Sequence, residues 1–200
     1  MLLNAAEKLV VNNPLRRMVQ KFYEVPLLLR MAHRLDGKSA LEIGCGQGFG
    51  IEMILSQFGA ARVSGIDLDP DMVVRAQKRI RRYADRVDVS PGDVTGIRFA
   101  DGSFDAVFDF GIIHHVPVWQ DAIGEIKRVL KPGGLFLFEE VSKQALDRWI
   151  YRTVFDHPAE NRFTLHDFVT ELRSQEILVD RNVVTFCFGD FFVGVGTRGG

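Results

Sequence analysis

Apolar residues along the chain form short continuous runs that alternate with runs at helical spacing. The short runs predict five strands, at 39–43, 62–67, 86–89, 105–108 (continuing into 109–111) and 135–141. Helical spacing is clearest in two of the segments between them. One follows Asp69 and Pro70, which suit a helix cap and a first helical position, and the other spans 119–130. Strands joined by single helices imply right-handed crossovers and a parallel sheet with helices on both faces.

The two ends of the chain carry different patterns. Residues 1–35 are amphipathic and predict helix, and 144–155 predicts another. Thr164 and Asp167 have the spacing of a capping box at the start of a further helix. Apolar runs at 179–188 and 191–197, joined at Gly189-Asp190, predict a hairpin that ends the sheet with an antiparallel strand. The expected fold is therefore α/β and doubly wound, a Rossmann-like, mostly parallel sheet of seven strands.

Length and composition favour one domain without a strong electrostatic preference. The 200 residues are 46% hydrophobic, enough for one core. We expect a single domain with an N-terminal helical segment (1–38), a ligand-binding core (39–141) and a tail of helices and the hairpin (142–200). Because 25 basic residues face 26 acidic ones, no nucleic-acid partner is expected.

The sequence shows no pattern that indicates a membrane span, a signal peptide, a disulfide framework or a metal site. No apolar run approaches the roughly 18 residues that span a bilayer, and Glu7 and Lys8 interrupt any signal-peptide pattern. Cys45 and Cys187 form neither a disulfide framework nor metal-ligand spacing, so no metal is expected. These features predict a cytoplasmic protein without stable membrane insertion.

The richest segment is the turn after the first strand, where glycines occupy positions 44, 46, 48 and 50. A strand that turns into a helix through glycines exposes backbone N–H groups to a ligand. The dinucleotide fingerprint G-x-G-x-x-G fails here, because its third glycine position holds Phe49 or Ile51, and the P-loop lysine is absent. The turn contains no basic residue, which favours a ligand that presents no phosphate to it.

Carboxylates follow three further strands. Asp67, Asp93 and Asp109 each come at or after the end of a predicted strand. In a doubly wound sheet these strand ends share one edge with the glycine turn, near the switch in strand order where ligands bind.

Five motifs in this order resemble those of the class I S-adenosylmethionine-dependent methyltransferases, particularly the small-molecule family that includes quinone-biosynthesis enzymes. They are LEIGCGQG (41–48), GIDLDPDMV (65–73), GDVTGIRFADGSFDAVF (92–108), HHV (114–116) and RVLKPGGLFLFEE (128–140). The resemblance is close over 39–141 and looser in the hairpin tail.

The resemblance implies S-adenosylmethionine as the cofactor and assigns it a set of contacts. The methionine part would lie on the turn, with Glu42 orienting its amino group, and Asp67 would accept hydrogen bonds from the ribose hydroxyls. Leu68 and Val94 would enclose the adenine. The residues implied to bind the cofactor are Tyr23, Glu42, Gly44, Cys45, Gly46, Gly48, Asp67, Leu68, Asp93, Val94, Phe110 and Gly111. Of these, Asp93 would accept from the adenine amine, Phe110 and Gly111 would lie by the sulfonium, and Tyr23 would reach the cofactor carboxylate from an N-terminal lid. The Cys45 side chain itself is expected to pack.

Methyl transfer needs alignment of the two reactants, and a base only when the acceptor must lose a proton. His114 and His115 are the candidate bases, although one of them could equally pack or anchor a loop. Glu139 and Glu140 are weaker candidates. The adenine- and glutamine-methylating motif Asn/Asp-Pro-Pro-Tyr/Phe is absent after strand four, since Asp109 is followed by Phe110-Gly111.

The expected reaction is in-line methyl transfer to a small, partly apolar organic acceptor. Two other functions stay open from the sequence: a cofactor-binding partner subunit without catalysis, and a nicotinamide-dependent oxidoreductase. The sequence does not specify the acceptor or the oligomeric state.

Overall fold

The protein is built on one mixed sheet, seen in a computed structural model that describes residues 18–147, 161–179 and 183–200. The sheet has the order β3-β2-β1-β4-β5-β8-β6, with β7 also paired to β8. Strands β1 to β5 are mutually parallel, and β8 runs antiparallel to β5. The strands are β1 Ser39–Ile43, β2 Arg62–Asp67, β3 Val87–Pro91, β4 Phe104–Phe110, β5 Leu130–Val141, β6 Ile177–Leu178, β7 Val183–Phe186 and β8 Phe191–Arg198.

Six α-helices accompany the sheet within the described residues: α1 Val25–Ala32, α2 Phe49–Met53, α3 Pro70–Ile80, α4 Trp119–Val129, α5 Lys143–Leu146 and α6 Leu165–Ser174. A π-helical turn precedes α1 and another extends α2 to Phe58. Local sequence explains the starts of α3 and α6. The Asp69 carboxylate accepts the Asp71 N–H (2.9 Å), and Thr164 and Asp167 form the predicted capping box.

Strand register brings the carboxyl ends of the parallel strands to one edge. Ile43 of β1 lies between Ile66 of β2 and Asp109 of β4. Phe110 of β4 pairs with Glu139 of β5. The strand order reverses between β1 and β4, which is where doubly wound sheets bind ligands.

Two apolar clusters cover the two faces of the sheet, as the alternation of strand side chains requires. Leu41 and Phe136 point to the face covered by α4 and α6. Ala40 and Leu137, their neighbours along the strands, point to the face covered by α1, α2 and α3. The expected arrangement of helices on both faces is confirmed.

The C-terminal hairpin differs in detail from its sequence prediction. Strand β6 pairs at the end of β8 (Ile177 with Arg198), and β7 pairs at its beginning (Phe186 with Phe191). Both lie on the edge of β8 that faces away from β5, so the described residues form eight strands instead of the expected seven. Cys187 and Phe188, predicted as strand, have φ of 50° and 59° and form a tight turn.

Other boundaries also shift. The predicted third strand begins one residue later and continues to Pro91, and β5 begins at Leu130 instead of 135. The N-terminal helical segment ends at Ala32, and the helix predicted at 144–155 is described only as Lys143–Leu146. Residues 1–17, 148–160 and 180–182, which hold the rest of these predictions, lie outside the described residues. Within the described part of the chain, no helix is long and apolar enough to cross a membrane.

Candidate functional site

The glycine turn between β1 and α2 is left-handed at three positions. Gly44, Gly46 and Gly48 have φ of 62°, 50° and 81°, a region that side chains disfavour. A Cβ on Gly44 would overlap the side chain of Ile112, which follows β4. A Cβ on Gly46 would meet no atom within 4 Å, so the backbone is open there.

A fourth glycine, inside α2, allows the helix to approach the sheet closely. A Cβ on Gly50 would overlap the carboxylate of Glu42 and lie 2.8 Å from Cδ2 of Phe110. The comparison of the turn with the dinucleotide fingerprint did not reveal that Gly50 permits this close approach. Gly50 makes the close helix–sheet contact one residue away from either position that the fingerprint requires.

Glu42, on β1, is a buried carboxyl beneath this turn. Only 3% of the residue is exposed, and its Oε2 has no hydrogen-bond partner among the described residues. Burial raises the pKa of Glu42 well above its usual range, and the negative charges of Asp67 and Asp109 raise it further. A buried acceptor without a donor is costly, and a cationic donor bound on the turn would relieve that cost.

Asp67, at the end of β2, is tied to the glycine turn. Its Oδ2 accepts the Gly46 N–H (2.7 Å), and its Oδ1 accepts the Asp69 N–H (2.9 Å). The next residue, Leu68, is 42% exposed. The structure thus brings Asp67 and the turn together, as predicted.

The Cys45 side chain points into the core. A Cβ on Gly65 of β2 would lie 3.2 Å from Cys45 Sγ, and the backbone N–H of Cys45 bonds to Ile66 O (2.9 Å). Burial raises the pKa of the Cys45 thiol, so it stays neutral. Only its backbone faces the turn.

Asp93 and Val94 follow β3. Asp93 is exposed, and its Oδ1 accepts hydrogen bonds from Thr95 N (2.9 Å) and Thr95 Oγ1 (2.8 Å). Val94 is buried in the cluster beneath α4. The two side chains expected to enclose the adenine, Leu68 and Val94, therefore differ strongly in exposure.

The loop after Val94 is held by Arg128 of α4, which sequence reasoning missed. Its guanidinium donates to the backbone oxygens of Ile97 (2.7 Å) and Phe99 (2.8 Å) and pairs with Glu125. Glu125 also accepts the Ile97 N–H (2.7 Å). An arginine in the last turn of a helix gives no sequence signal that distinguishes this role from ordinary solvation.

Phe110 and Gly111 end β4 beside the first histidine. Gly111 has φ of 84°, and a Cβ there would lie 3.7 Å from Cε1 of His114. The imidazole of His114 therefore packs next to the corner that was expected to face the transferred methyl group.

His114 is bonded to a buried carboxylate of β5. Its Nδ1 lies 2.6 Å from Oε2 of Glu140, whose Oε1 accepts the Ile113 N–H (2.6 Å). Asp109 lies close by, fully buried, and its Oδ1 accepts the Ile112 N–H (2.9 Å). The Asp109 and Glu140 positions were visible in the sequence as polar strand ends, but their pairing depends on strand register.

The remaining two predicted site residues lie less directly at this edge. His115 is 7% exposed and its ring centroid is 4.2 Å from that of His114. Tyr23 is 56% exposed and packs edge-to-face on Phe186 of β7, with ring centroids 5.3 Å apart. The structure therefore places Tyr23 against the C-terminal hairpin.

Two concave regions flank the site. A narrow recess beside His114 is lined by Val116, Trp119, Val141, Leu146, Asn161, Arg162 and Phe163. A cavity of about 360 Å³ lies between the N-terminal segment and α2, walled by side chains that include Phe22, Phe49 and Met53. Across the described ranges, no group of three or more His, Cys, Asp or Glu residues has the geometry of a metal site.

Comparison with known proteins gives a consistent answer. Residues 41–138 match the family model of the methyltransferase domain. A Mycolicibacterium smegmatis protein named a probable S-adenosylmethionine-dependent methyltransferase is 39% identical over 110 residues, 54% of this chain and 40% of that protein. The ubiquinone/menaquinone biosynthesis C-methyltransferase of Paracoccus denitrificans is 32% identical over 147 residues, 71% of this chain and 58% of that protein. The chain spans about half the length of the curated relatives it matches.

A solved structure supports the same fold. The S-adenosylmethionine-dependent methyltransferase from Aquifex aeolicus superposes with a TM-score of 0.75, covers 97% of each chain and is 21% identical. The strand order, the glycine turn at the switch point and the matched domain agree with the resemblance noted in the motifs. Residues 41–138 of the chain are a methyltransferase domain of the class I S-adenosylmethionine-dependent superfamily.

Proposed function

We propose that the protein transfers the methyl group of S-adenosylmethionine to a small, partly apolar organic acceptor. The observation that carries this proposal is the buried Oε2 of Glu42, which lacks a partner among the described residues beneath an open glycine turn. A cationic amine on the turn would supply the missing donor, and the cofactor's methionine part carries one.

The turn would hold the methionine part by its backbone. Gly46 leaves the space above it open, and Gly44 and Gly48 keep the left-handed path that exposes the backbone. Cys45 would contribute backbone contacts alone. Binding of an ammonium beside Glu42 would favour its charged form and lower its pKa toward the usual range.

The neighbouring strand ends would hold the rest of the cofactor. Asp67 lies at the end of β2 beside the turn, held by hydrogen bonds from Gly46 N–H and Asp69 N–H, where its carboxylate would accept from the ribose hydroxyls. Asp93 would likewise accept from the adenine amine. Exposed Leu68 would close over the base, and Val94 would form the buried floor. Phe110 and Gly111 would lie beside the sulfonium, where an aromatic ring favours a cation.

Catalysis would then need alignment and one base. The cofactor supplies an activated methyl carbon, and an acceptor lone pair attacks it while the carbon–sulfur bond breaks toward sulfur. For a hydroxyl or acidic carbon acceptor, Nε2 of His114 would take the released proton. His114 is preferred over His115 because its ring packs against Gly111, beside the methyl position.

The acceptor class is inferred from the side chains around His114 and from one relative. Most side chains around the recess beside His114 are apolar or aromatic, including Trp119 and Phe163, although the recess is too narrow as it stands to admit a ligand. The Paracoccus relative is named for quinone biosynthesis, an apolar class of acceptor. Contact of Tyr23 with the cofactor carboxylate, the lid role of the N-terminal segment and a cytoplasmic location stay predictions.

Calorimetric titration of the whole chain with S-adenosylmethionine, S-adenosylhomocysteine and NAD tests the class. We expect saturable one-to-one binding of the first two and none of NAD; binding of NAD alone would reject the proposal. Screening phenols, quinols and fatty acids for release of S-adenosylhomocysteine then separates an enzyme from a partner subunit without catalysis. Cofactor binding with no turnover on any acceptor class would favour the latter.

A further inference from the structure

A network of three side chains on β4, β5 and the turn between β4 and α4 extends beyond the contacts that a methyl donor requires. His114, Glu140 and Asp109 meet at the carboxyl edge of the sheet, where β4 and β5 are neighbours. Glu140 is 1% exposed and Asp109 fully buried, so these groups interact with little screening by water.

The hydrogen bonds at Glu140 give the carboxylate a fixed orientation. Oε1 accepts the Ile113 N–H (2.6 Å), and Oε2 accepts the Val141 N–H (3.0 Å). The Glu140 side chain is thus anchored by backbone on both sides while Oε2 also faces Nδ1 of His114 at 2.6 Å. When Glu140 is ionised it can only accept, so the contact then requires a proton on Nδ1.

We propose that Glu140 is a positioning residue that fixes the tautomer of His114, so that Nδ1 carries the proton and Nε2 is the basic nitrogen. The inference rests on the proposed function, since it gives His114 the form a base must have. Without the bond to Glu140, the imidazole would be able to adopt the other tautomer, in which Nε2 already holds a proton and cannot accept one.

Asp109 would keep the pair at a single negative charge. Burial raises the pKa of Glu140 to about 7, and burial together with the charge of Glu140 raises that of Asp109 well above its usual range. Two adjacent buried carboxyl groups cannot both ionise readily, so they share one proton. A protonated Asp109 leaves Glu140 anionic, and that anion would stabilise His114 when its ring gains a proton.

Several other titratable or charged groups lie on the elements packed around this network. They are Glu42 on β1, His115 on the turn after β4, Glu139 on β5, Arg162 beside the recess and Asp190 before β8. Glu139 and Glu140 are consecutive on β5, so their side chains point to opposite faces of the sheet. Glu139 is therefore a suitable control for loss of a nearby buried negative charge.

The test is the tautomer of His114, read from its ¹⁵N chemical shifts in the uniformly labelled full chain at pH 7. We expect the Nδ1–H form in the wild-type protein. In Glu140→Leu, which removes the acceptor of the Nδ1 proton, we expect a shift to the Nε2–H form, and in Glu139→Leu no change at His114.

The readout requires neither cofactor nor acceptor, so it stands apart from the test of the methyltransferase function. A wild-type His114 in the Nε2–H form would overturn the proposal even if Glu140→Leu failed to fold. Unchanged shifts in a folded Glu140→Leu would also overturn it. If an acceptor is found, kcat should fall by about 10²- to 10⁴-fold in Glu140→Leu, with affinity for S-adenosylhomocysteine unchanged.

Discussion

The carboxylate of Asp67 accepts a 2.7 Å hydrogen bond from the backbone N–H of Gly46, so the end of β2 and the glycine turn are joined directly. This bond holds the acidic side chain over the turn before any ligand arrives. A site that is ordered in advance loses less entropy on binding. Asp67 therefore contributes both to the shape of the turn and to the acceptor set for the ribose.

Replacement of Asp67 by alanine is expected to weaken S-adenosylhomocysteine binding by about 1.5–3 kcal/mol, because charge-assisted hydrogen bonds to the ribose are lost. Isothermal titration calorimetry measures the change. Asp88→Ala removes an exposed carboxylate from the adjacent strand β3 and should leave the affinity unaltered. If Asp67→Ala bound as tightly as the wild-type protein, the ribose placement would be wrong.

Alanine at Gly44 and at Gly46 should separate folding from binding. Both substitutions place a side chain at a residue with positive φ, which lowers the free energy of unfolding by about 1–2 kcal/mol. Gly44→Ala also overlaps Ile112, so its total loss in the free energy of unfolding should reach about 2–4 kcal/mol. A Cβ at position 46 meets no other atom, so Gly46→Ala should lose only the stability that the positive φ costs. Its methyl group would instead obstruct the cofactor.

Urea unfolding and calorimetry on the two variants give the comparison. The expected pattern is a larger stability loss for Gly44→Ala and a loss of cofactor affinity for a well-folded Gly46→Ala. Normal affinity in folded Gly46→Ala would place the cofactor away from this part of the turn.

Asp105 should contribute a stability that disappears in acid. Burial acts to raise its pKa, but hydrogen bonds from the Ser39 N–H and from Lys131 outweigh it and lower the pKa to about 2. Because the folded-state pKa lies below the unfolded one, the stabilisation is complete above about pH 4 and is lost as the pH falls toward 2.

Asp105→Asn is therefore expected to cost about 2 kcal/mol at pH 7 and progressively less below pH 4. Urea titrations at pH 7, 4 and 3 would show the gap to the wild-type protein narrowing. Asp88→Asn should follow the wild-type protein throughout. A gap that stayed constant with pH would mean that the ion pairs of Asp105 contribute nothing.

Local signals explain which parts of the fold could be predicted. The Asp69 cap, the Thr164–Asp167 capping box and strands β1 and β2 depend on residues close in sequence, and their boundaries agree with the structure. The start of β5 was missed because Pro132 and Gly133 indicate a turn, whereas pairing of Leu130 with Phe104 across an irregular register extends the strand. Tertiary pairing there outweighs local propensity.

The candidate site divides in the same way. The positions of the glycine turn and Asp67 were predictable because each lies in a short motif at the end of its own strand. The expected parallel sheet then brings the two strand ends to the same edge. The bond between His114 and Glu140 was not, because it joins residues 26 positions apart through the register of β4 and β5. The role of Tyr23 at the cofactor, which came from the family resemblance, stays a prediction, and its contact with Phe186 of β7 could not be read from the sequence.

The short edge strands beyond β8 have a consequence for self-association. Among the described residues, β6 and β7 offer two and four residues, paired at opposite ends of β8, so each presents only a short ladder of backbone groups to another chain. Sheets with long, flat edges invite a further strand and aggregate, and short interrupted edges resist this. The shortness of β6 and β7 thus makes each of them a poor template for a strand from a second molecule.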